Sequence, residues 1–517
     1  MARTTLVIGL DGADWSLLNP LMEDGAMPTL KAFVASGVSA TLESIRPTNS
    51  MSAWTSLMTG TNPGKHGVYD FVRKTDTPFK TTVTNSSVIG FPTIWETLTA
   101  AGRSSCVIDM PPLYPPFEIN GAMIGGMGAV TSFDRSYTCP AELAGEVENA
   151  VGEFLPDVAW VGKAGQQEEL LEEWIALVDN RRKVAEYLLG KQAWDLFFAV
   201  FVAPDRVQHV FWQELTERGP LYSKVRRFYE KLDEAIARLI ERVDTTESDV
   251  LLVSDHGFRT FHDTFDVNQV LAEAGLLKWQ DVEPMAAGVL RKAGRIVKPL
   301  AGRLEQVIQR RYPAQRELLE DSVAYSDLSE SVHLNLAGRE STGSVSPGEV
   351  ESVRELVTSK LLEFRDPQNG QPVIKEVLDG GDYFHGAHDG DAPDLLLECH
   401  DGYAHNNGLG RVMFRWTYCQ GVHSMNGIIA GLGPSFRQSA NASTVSILDV
   451  TPTLLALQGL GAPDGTDGRI AEELLEQTPQ PAEQPVAVSE RTGEATPYTE
   501  EEEEAVRERL RGLGYIE

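Results

Sequence analysis

Four short apolar runs, each followed by a helix-like segment, constrain the fold of this chain more than any other feature. The runs are TTLVIGL (4–10), RSSCVIDM (103–110), DLFFAVFVAP (195–204) and DVLLVSDHGF (249–258). Each run is rich in β-branched or aromatic residues and is bounded by turn-forming residues, which is typical of a buried strand. Buried strands that alternate with helices form a largely parallel sheet covered by helices on both faces. The sequence therefore predicts an α/β fold.

The helical segments and a change of composition predict the domain organisation. Apolar residues recur at helical spacing in 27–37, 92–102, 168–190 and 226–243. The stretch 271–389 differs, because it contains a basic helical segment, RKAGRIVKPLAGRLEQVIQRRYPAQR, within an acidic chain. We predict that 1–270 and 390–470 are the two parts of a catalytic α/β core and that 271–389 is an inserted cap subdomain. DGDAPDLLLECH (390–400) is interpreted as the return to the core, and NGIIAGLGP as a further core strand.

Residues 471–517 are predicted to form an acidic linker and a terminal helix. QTPQPAEQPVAVSERTGEATP is rich in Pro and Glu, which is typical of a linker. YTEEEEEAVRERLRGLGYIE begins with the capping residue Thr499 and has apolar residues at Val506, Leu510 and Leu513. These features predict a short helix packed on the surface. The acidic run is interpreted as a solvated helix start rather than as a metal site.

The charge balance limits the partners that the chain can bind. There are 45 Lys and Arg against 75 Asp and Glu, which gives a net charge of −30. Proteins that bind nucleic-acid duplexes usually carry a basic surface, so we expect no such partner. The negative field also repels anionic substrates at long range. A small anionic substrate would therefore need a local positive centre, such as a metal ion.

The cysteines and the apolar runs indicate a cytoplasmic protein. The four cysteines are widely separated and form no CxxC motif, which suits a reducing compartment and argues against a cysteine metal site. The start, MARTTLVIGLDGADW, has only a six-residue apolar stretch before Asp11, which is too short for the core of a signal peptide. No stretch approaches the roughly 18 apolar residues of a membrane-spanning helix. The oligomeric state is left open.

Acidic residues and histidines follow the predicted strands, near the edge where parallel sheets bind ligands. Asp205 and His209 are four residues apart, so on a helix they share one face. Taken singly, an Asp-Gly pair such as Asp11 and Gly12 is more often a turn than part of a metal site. An Asp and a His spaced like Asp205 and His209 are likewise more often an exposed pair than metal ligands. His423 is predicted in a loop just before a core strand, and the full set is Asp11, Asp205, His209, Asp255, His256 and His423. Histidine and carboxylate ligands without thiolates suit zinc, manganese or iron, and six ligands are about right for two ions.

The segment RPTNSMSAWTSLMTGTNPGKHG (46–67) predicts a turn followed by a helix that ends at Gly60. Ser50 lies at or just before the helix start, where Ser is a favoured N-cap. The same position offers free N–H groups and the positive end of the helix dipole, which would stabilise an alkoxide or a bound phosphate. GTNPGKHG is not a phosphate-binding loop, because three residues rather than four separate its glycines and His66 follows Lys65. Lys65 is a weaker candidate for contact with an anion.

Five motifs, taken in order, resemble the alkaline phosphatase superfamily and, most closely, its type I phosphodiesterase/nucleotide pyrophosphatase branch. They are GLDGAD, PTNSMSAWTSLMTGTNPGKHG, DRVQHVFW, VSDHGF and GVHSMNGIIAGLGP, and they cover about 5–460. The resemblance implies an alkaline phosphatase-like fold and two divalent ions, zinc or alternatively manganese. It assigns Asp205, His209 and His423 to one ion. It assigns Asp11, Asp255, His256 and the nucleophile to the other, and it places the nucleophile on Ser50, with Ser52 as the alternative.

The residues after Ser50 depart from the family pattern. In nucleotide pyrophosphatases the nucleophile is followed by an aromatic residue that stacks on a base, then by Pro and Asn. Here these positions hold Met51, Ser52 and Ala53. Met51 is therefore expected to contact the substrate, but the aromatic side chain that stacks on the base and the Asn that holds the phosphate are missing. These departures argue against a nucleotide substrate. A sulfatase would carry Pro and Arg after the nucleophile, and SMSAW has neither, so the sequence argues against a sulfatase.

The sequence thus predicts a metal-dependent hydrolase of small phosphate esters. The reaction would be of the phosphodiesterase or nucleotide pyrophosphatase type and would pass through a phosphoseryl intermediate on Ser50. One alternative is a phosphomonoesterase or phosphonate hydrolase on the same scaffold, and another is an inactive metal-bound binding protein. Arg and Lys residues within 291–311 are further candidates for contacts with the leaving group.

Overall fold

A computed structural model describes residues 5–127, 137–161, 163, 165–282, 315–319, 321–415, 419–479, 486–488 and 498–516. The predicted leaving-group contacts within 291–311 lie outside the described residues. Helices α1 to α14 are, in order, Trp15–Glu23, Pro28–Ser36, Ser50–Thr59, Pro63–His66, Ile94–Ala100, Leu143–Val151, Gln167–Leu189, Ala203–Thr216, Tyr222–Ile240, Val267–Glu273, Val350–Glu363, Gly380–Tyr383, Val450–Leu457 and Glu500–Gly512. None of these described helices is both long and apolar enough to cross a membrane.

The strands and the short 3₁₀ helices complete the described secondary structure. Strands β1 to β21 are, in order, Thr5–Leu10, Val38–Glu43, Val72–Lys74, Thr81–Val83, Ser105–Ile108, Gly121–Ile124, Thr138–Cys139, Leu196–Phe201, Asp249–Val253, Gly257–Asp266, Trp279–Val282, Gln315–Leu318, Ala324–Tyr325, Ser331–Leu334, Ile374–Asp379, Leu395–Cys399, Gly402–Asn406, Gly421–Ser424, Asn426–Leu432, Ala440–Asn441 and Val445–Ser446. The 3₁₀ helices are Ser86–Val88, Asp389–Asp391, Ile447–Asp449 and Glu472–Leu474.

A ten-stranded sheet forms the centre of the fold. Its strand order is β20-β2-β19-β9-β1-β8-β5-β6-β7, and β21 also pairs with β2. Strands β9, β1, β8, β5 and β6 are parallel to one another, whereas β19 and β7 run antiparallel to the strands beside them. All residues of β1 and β8 are buried, as expected of parallel strands covered on both faces. The structure confirms a mixed α/β fold with a central sheet.

Two groups of helices enclose the central strands. Phe198 of β8 makes edge contacts with Trp54 of α3 and Trp95 of α5, at ring-centre separations of 6.1 and 5.8 Å. Side chains alternate along a strand, so the neighbouring Phe197 points to the other face. A second group of helices, α2, α7, α8 and α9, packs together and contacts β8 through α7. Strand β8 therefore lies between two helical layers. These layers cover the faces of the sheet, so a site can form at the ends of its strands.

Gly9 allows Trp54 to pack closely against β1, and this contact leads to a stability prediction. A Cβ atom at Gly9 would lie 2.8 Å from the Trp54 ring and 3.0 Å from a methyl group of Val200. We expect Gly9→Ala to lower the free energy of unfolding by about 1–3 kcal/mol, because overpacking a tight core forces side chains out of position. Denaturant titration measures the change.

Gly145 provides the matched control for Gly9. It is exposed in α6, and a Cβ atom there would meet nothing within 4 Å. Gly145→Ala should raise the free energy of unfolding by about 0.5–1 kcal/mol through helix propensity. Equal effects of the two substitutions would contradict the close contact at Gly9.

The smaller sheets surround a second apolar cluster. The sheets have the strand orders β17-β10-β18, β11-β12, β13-β14-β16-β15 and β3-β4. The cluster draws its buried residues from the range between Phe265 and Tyr403. The strand predicted to return to the core within 390–400 is β16, but it pairs with β14 and β15 instead. An apolar run shows that a strand is buried and not which sheet buries it. Strand β19 joins the central sheet as predicted, and the domain boundaries stay predictions.

Helix α14 packs against the first part of the chain. The side chain of Thr499 accepts a hydrogen bond from the backbone N–H of Glu502, whose carboxylate accepts one from the Thr499 N–H, so the two residues form a capping box. Val506 and Leu510 are buried. Arg507 donates a hydrogen bond to the backbone oxygen of Thr81, at the start of β4. The helix is thus held at both its apolar and its basic face.

Candidate metal centre and nucleophile

Asp205, His209 and His423 meet in what we call the first ligand group. His423 Nε2 lies 3.1 Å from Asp205 Oδ1 and 3.1 Å from His209 Nε2, and the remaining separation, His209 Nε2 to Asp205 Oδ1, is 3.5 Å. Ligands about 2.0 Å from a tetrahedral ion stand roughly 3.3 Å apart, so these three atoms are spaced to hold one ion. Asp205 and His209 lie one turn apart on α8. His423, predicted in a loop, lies on the short strand β18, where it pairs with Phe258 of β10.

Asp11, Ser50, Asp255 and His256 form the second ligand group, and all four are buried. Ser50 Oγ lies 3.4 Å from Asp11 Oδ1 and 3.3 Å from His256 Nε2. His256 Nε2 lies 3.3 Å from Asp255 Oδ2. Asp255 Oδ2 has no hydrogen-bond partner among the described residues, and a buried carboxylate oxygen left alone is costly. An ion at this position would satisfy it.

The two ligand groups adjoin each other. The rings of His256 and His423 stack with their centres 3.7 Å apart. Ligand atoms of Asp205, His256 and His423 lie within 4.8 Å of one another, and so do those of Asp11, Asp255 and His256. Because His256 is close to both groups, the arrangement suits two neighbouring ions better than one. The tertiary structure therefore brings together all six predicted ligands and the hydroxyl of Ser50.

Main-chain carbonyl groups orient the three imidazoles. Each Nδ1 atom faces a backbone oxygen, at 3.0 Å from Gly421 for His209, 2.9 Å from Thr48 for His423 and 3.2 Å from Gly257 for His256. A carbonyl oxygen can only accept, so each Nδ1 carries the proton. Each Nε2 then presents its lone pair to the ligand group, which is the tautomer that metal-binding histidines need.

The electrostatics of the site favour a bound cation. Burial, followed by the charges of Asp255 and Asp205, raises the pKa of Asp11 well above its ordinary value. Burial raises the pKa of Asp255 to about 7. Burial also opposes ionisation of Asp205, but its interactions with His209, His423 and Arg206 outweigh burial and hold the pKa of that carboxyl well below its usual range. Divalent ions stabilise three carboxylates that lie this close together, so the two ligand groups fit such ions.

Ser50 is the first residue of α3, and Asn49 is its N-cap. The Asn49 side chain accepts a hydrogen bond from Ser52 N at 3.0 Å and donates one to Tyr69 O at 2.8 Å. The interpretation of Ser50 as an N-cap is therefore wrong. Asn is as good a cap as Ser, which is the signal that could have identified it. The hydroxyl of Ser50 is left to face the second ligand group.

Ser52, the alternative nucleophile, points elsewhere. Two residues along a helix correspond to about 200° around its axis, so Ser52 cannot share the direction of Ser50. Its hydroxyl is buried and has no hydrogen-bond partner among the described residues. The contacts at the second ligand group thus favour Ser50.

The two predicted substrate contacts have different surroundings. Met51 is buried and lines a small apolar cavity together with Val83, Tyr114 and Leu510 of α14. Lys65 contacts the carboxylate of Asp467 and donates a hydrogen bond at 2.6 Å to the backbone oxygen of Gly465. An ammonium group in an ion pair is less available to an anion, so the role of Lys65 stays a prediction without support from its contacts.

Sequence reasoning missed Trp54 and Arg206, which hydrogen-bond to two of the ligands. Trp54 Nε1 donates to Asp11 Oδ2 at 3.2 Å, and Arg206 donates to Asp205 Oδ2 at 2.6 Å. Each takes the carboxylate oxygen that does not face its ligand group. Arg206 also pairs with Asp157 at 2.9 Å and is fully buried. Trp54 gave no local signal, because its contact with Asp11 spans 43 positions.

Comparisons with known proteins concern the family and the fold of the chain. The family model for type I phosphodiesterase/nucleotide pyrophosphatase matches residues 5–425, and no curated protein matches the chain. Murine ectonucleotide pyrophosphatase/phosphodiesterase 5 is similar at 14% identity and a TM-score of 0.54, over 91% of this chain and 99% of that one. An inactive variant of the murine protein in complex with AMP is similar at 14% identity and a TM-score of 0.55, over 92% of this chain and 100% of that one. The human protein is similar at 14% identity and a TM-score of 0.54, over 92% of this chain and 100% of that one. At this identity the solved structures show a shared fold.

Proposed function

Since the chain belongs to the type I phosphodiesterase/nucleotide pyrophosphatase family of the alkaline phosphatase superfamily and is a phosphoric ester hydrolase, we propose that it cleaves small phosphodiesters or pyrophosphates with Ser50 as nucleophile and two divalent ions. The observation that carries the proposal is the position of Ser50 Oγ, 3.4 Å from Asp11 Oδ1 and 3.3 Å from His256 Nε2. Family membership argues against the alternative of an inactive binding protein.

The donor set defines which residues would hold the ions. Asp205, His209 and His423 would hold one, and the second ligand group would hold the other. Imidazole and carboxylate ligands without thiolates suit zinc and, as an alternative, manganese. When bound, such ions supply positive charge that stabilises an anionic substrate and lowers the pKa of a coordinated hydroxyl. The positive charge of the ions acts at short range on the substrate. The chain has a net charge of −30, but salt screens the field of its surface charges, so the local positive charge outweighs that field.

The covalent chemistry then rests on Ser50. Its oxygen attacks phosphorus, the bond from phosphorus to the leaving alcohol breaks, and a phosphoseryl ester forms. Water attacks the same phosphorus from the opposite side, which releases the phosphate product and restores the hydroxyl. The position of Ser50 in the first turn of α3 supports both steps, because free N–H groups and the helix dipole stabilise negative charge there.

The contacts of Arg206 favour a diester over a monoester as substrate. A monoester brings one more negative charge and needs a further cation. Arg206 hydrogen-bonds to a ligand carboxylate, but it is fully buried and paired with Asp205 and Asp157, so it is not free to bind a phosphate oxygen. The AMP complex of the murine variant supports a small phosphorylated ligand, although Met51 stands where nucleotide pyrophosphatases have an aromatic clamp.

A comparison of aryl esters tests this preference. With zinc or manganese added, kcat/KM for a bis-aryl phosphodiester should exceed that for the matching aryl monoester by about tenfold or more. The extra negative charge of the monoester lacks a cation to pair with, and a tenfold difference in kcat/KM requires only ~1.4 kcal/mol of lost stabilisation. Matching the aryl group keeps the leaving-group chemistry equal. A higher kcat/KM for the monoester would instead favour a phosphomonoesterase on the same scaffold.

A further inference from the structure

The C-terminal residues 498–516, which we call the tail, reach the first ligand group. The hydroxyl of Tyr515 donates a hydrogen bond to Asp205 Oδ2 at 3.2 Å. Its ring stacks on Phe71 with the centres 3.9 Å apart and the planes 14° apart. The guanidinium carbon of Arg206 lies 4.9 Å from the centre of the same ring. The ring of Tyr515 is thus held by two side chains that do not themselves bind the ion.

The contact with Tyr515 bears on the direction in which Asp205 points. Asp205 Oδ2 receives hydrogen bonds from both Arg206 and Tyr515, whereas Oδ1 faces His209 and His423. Donors on one oxygen keep the carboxylate from rotating, so the other oxygen stays directed at the ion. Groups that orient metal ligands in this way contribute strongly to metal affinity.

The tail also supports His209. The backbone oxygen of Gly512 accepts hydrogen bonds from the N–H groups of Trp160 and Val161, at 2.9 and 3.0 Å. The Trp160 ring stacks beside His209, with the centres 6.1 Å apart and the planes 18° apart. Two of the three members of the first ligand group are therefore backed by the tail or by a residue that the tail holds.

The tail is anchored independently of the Tyr515 hydroxyl. Val506, Leu510 and Leu513 are buried against the rest of the chain, and Arg507 bonds to Thr81. Removal of the hydroxyl alone should therefore leave the tail in place, which makes its effect on the ligands separable from its effect on folding.

We propose that Tyr515 is a positioning residue for the first ion: its hydroxyl holds Asp205 in the orientation that binds the ion, and the tail is an integral part of the active site. This inference rests on the proposed two-metal function. The tail would act on the ion through Asp205, without itself touching the substrate.

The test is the zinc affinity of full-length Tyr515→Phe, measured by competition with a chromophoric chelator. Phenylalanine keeps the stack on Phe71 and the contact with Arg206 and loses only the hydrogen bond. We expect one of the two zinc ions to bind about tenfold more weakly, with the other unchanged. At saturating zinc, kcat should return to within about threefold of the unmodified protein. Glu504→Gln, on the exposed face of α14, is the matched control and should leave both affinities unchanged.

A second variant separates positioning from packing. Tyr515→Leu removes the ring as well as the hydroxyl, so it should weaken zinc binding and also lower thermal stability. If Tyr515→Phe binds both zinc ions as tightly as the unmodified protein while Tyr515→Leu does not, the tail packs against the site without orienting Asp205, and the inference is overturned. If the unmodified protein binds fewer than two ions, the proposed function fails first, and the two failures are thereby distinguished.

Discussion

Ser50→Ala should lower kcat/KM for an aryl phosphodiester by about three orders of magnitude or more, with little change in zinc content. The expected loss is large because the substitution removes the atom that forms the covalent intermediate. Zinc content should stay near that of the unmodified protein, because Asp11, Asp255 and His256 remain to hold the second ion. Metal analysis of the purified variant, together with initial rates, measures both quantities.

Ser52→Ala is the matched control for this prediction. Ser52 lies two residues later on α3, is equally buried, and has a hydroxyl without a partner among the described residues. Its loss should change kcat/KM by less than about threefold, since the hydroxyl faces away from the second ligand group. Should Ser52→Ala abolish activity while Ser50→Ala retains it, the nucleophile has been assigned to the wrong serine.

His423→Ala should remove one ion and reduce kcat/KM by about a thousandfold or more, which corresponds to roughly 4 kcal/mol of transition-state stabilisation. His423 Nε2 stands 3.1 Å from both Asp205 Oδ1 and His209 Nε2, so it completes the first ligand group. Without it, two protein ligands remain, which is fewer than catalytic zinc sites use. Zinc per chain and steady-state rates give the two readouts.

His262→Ala controls for the removal of a histidine as such. His262 is exposed on β10, the strand that pairs with β18, and lies outside both ligand groups. It should bind zinc and turn over substrate like the unmodified protein. Full zinc content and activity in His423→Ala would rule out the first ligand group as a metal site.

Much of the candidate site could be predicted because its residues stand beside local signals. Asp11 directly follows the apolar run that forms β1, and Asp255 and His256 come within three residues of the end of β9, so the end of a buried strand is visible in the sequence. Asp205 and His209 are spaced by one helical turn, which periodicity reveals. Each of these placements depends on interactions within about ten residues.

Other parts of the site depend on contacts between distant segments. Tyr515 reaches Asp205 across 310 positions, and no local pattern distinguishes it from a surface tyrosine near the end of a helix. Strand β16 is as apolar as the central strands but pairs with β14 and β15. Asn49 and Ser50 are both good N-caps by residue type, and the contacts of Asn49 with Ser52 and Tyr69 decide between them.

Residue patterns alone were thus sufficient for the α/β class and for the identity of the six candidate ligands, because backbone periodicity and ligand chemistry are properties of short segments. The family resemblance assigned those ligands to two ions, but only packing in three dimensions shows that the two groups adjoin, that the Ser50 hydroxyl faces one of them, and that Trp54 and Tyr515 lie behind the carboxylates. Contacts of this second kind arise when helices and strands far apart in the chain share one core, and their partners are selected by shape and burial over the whole molecule.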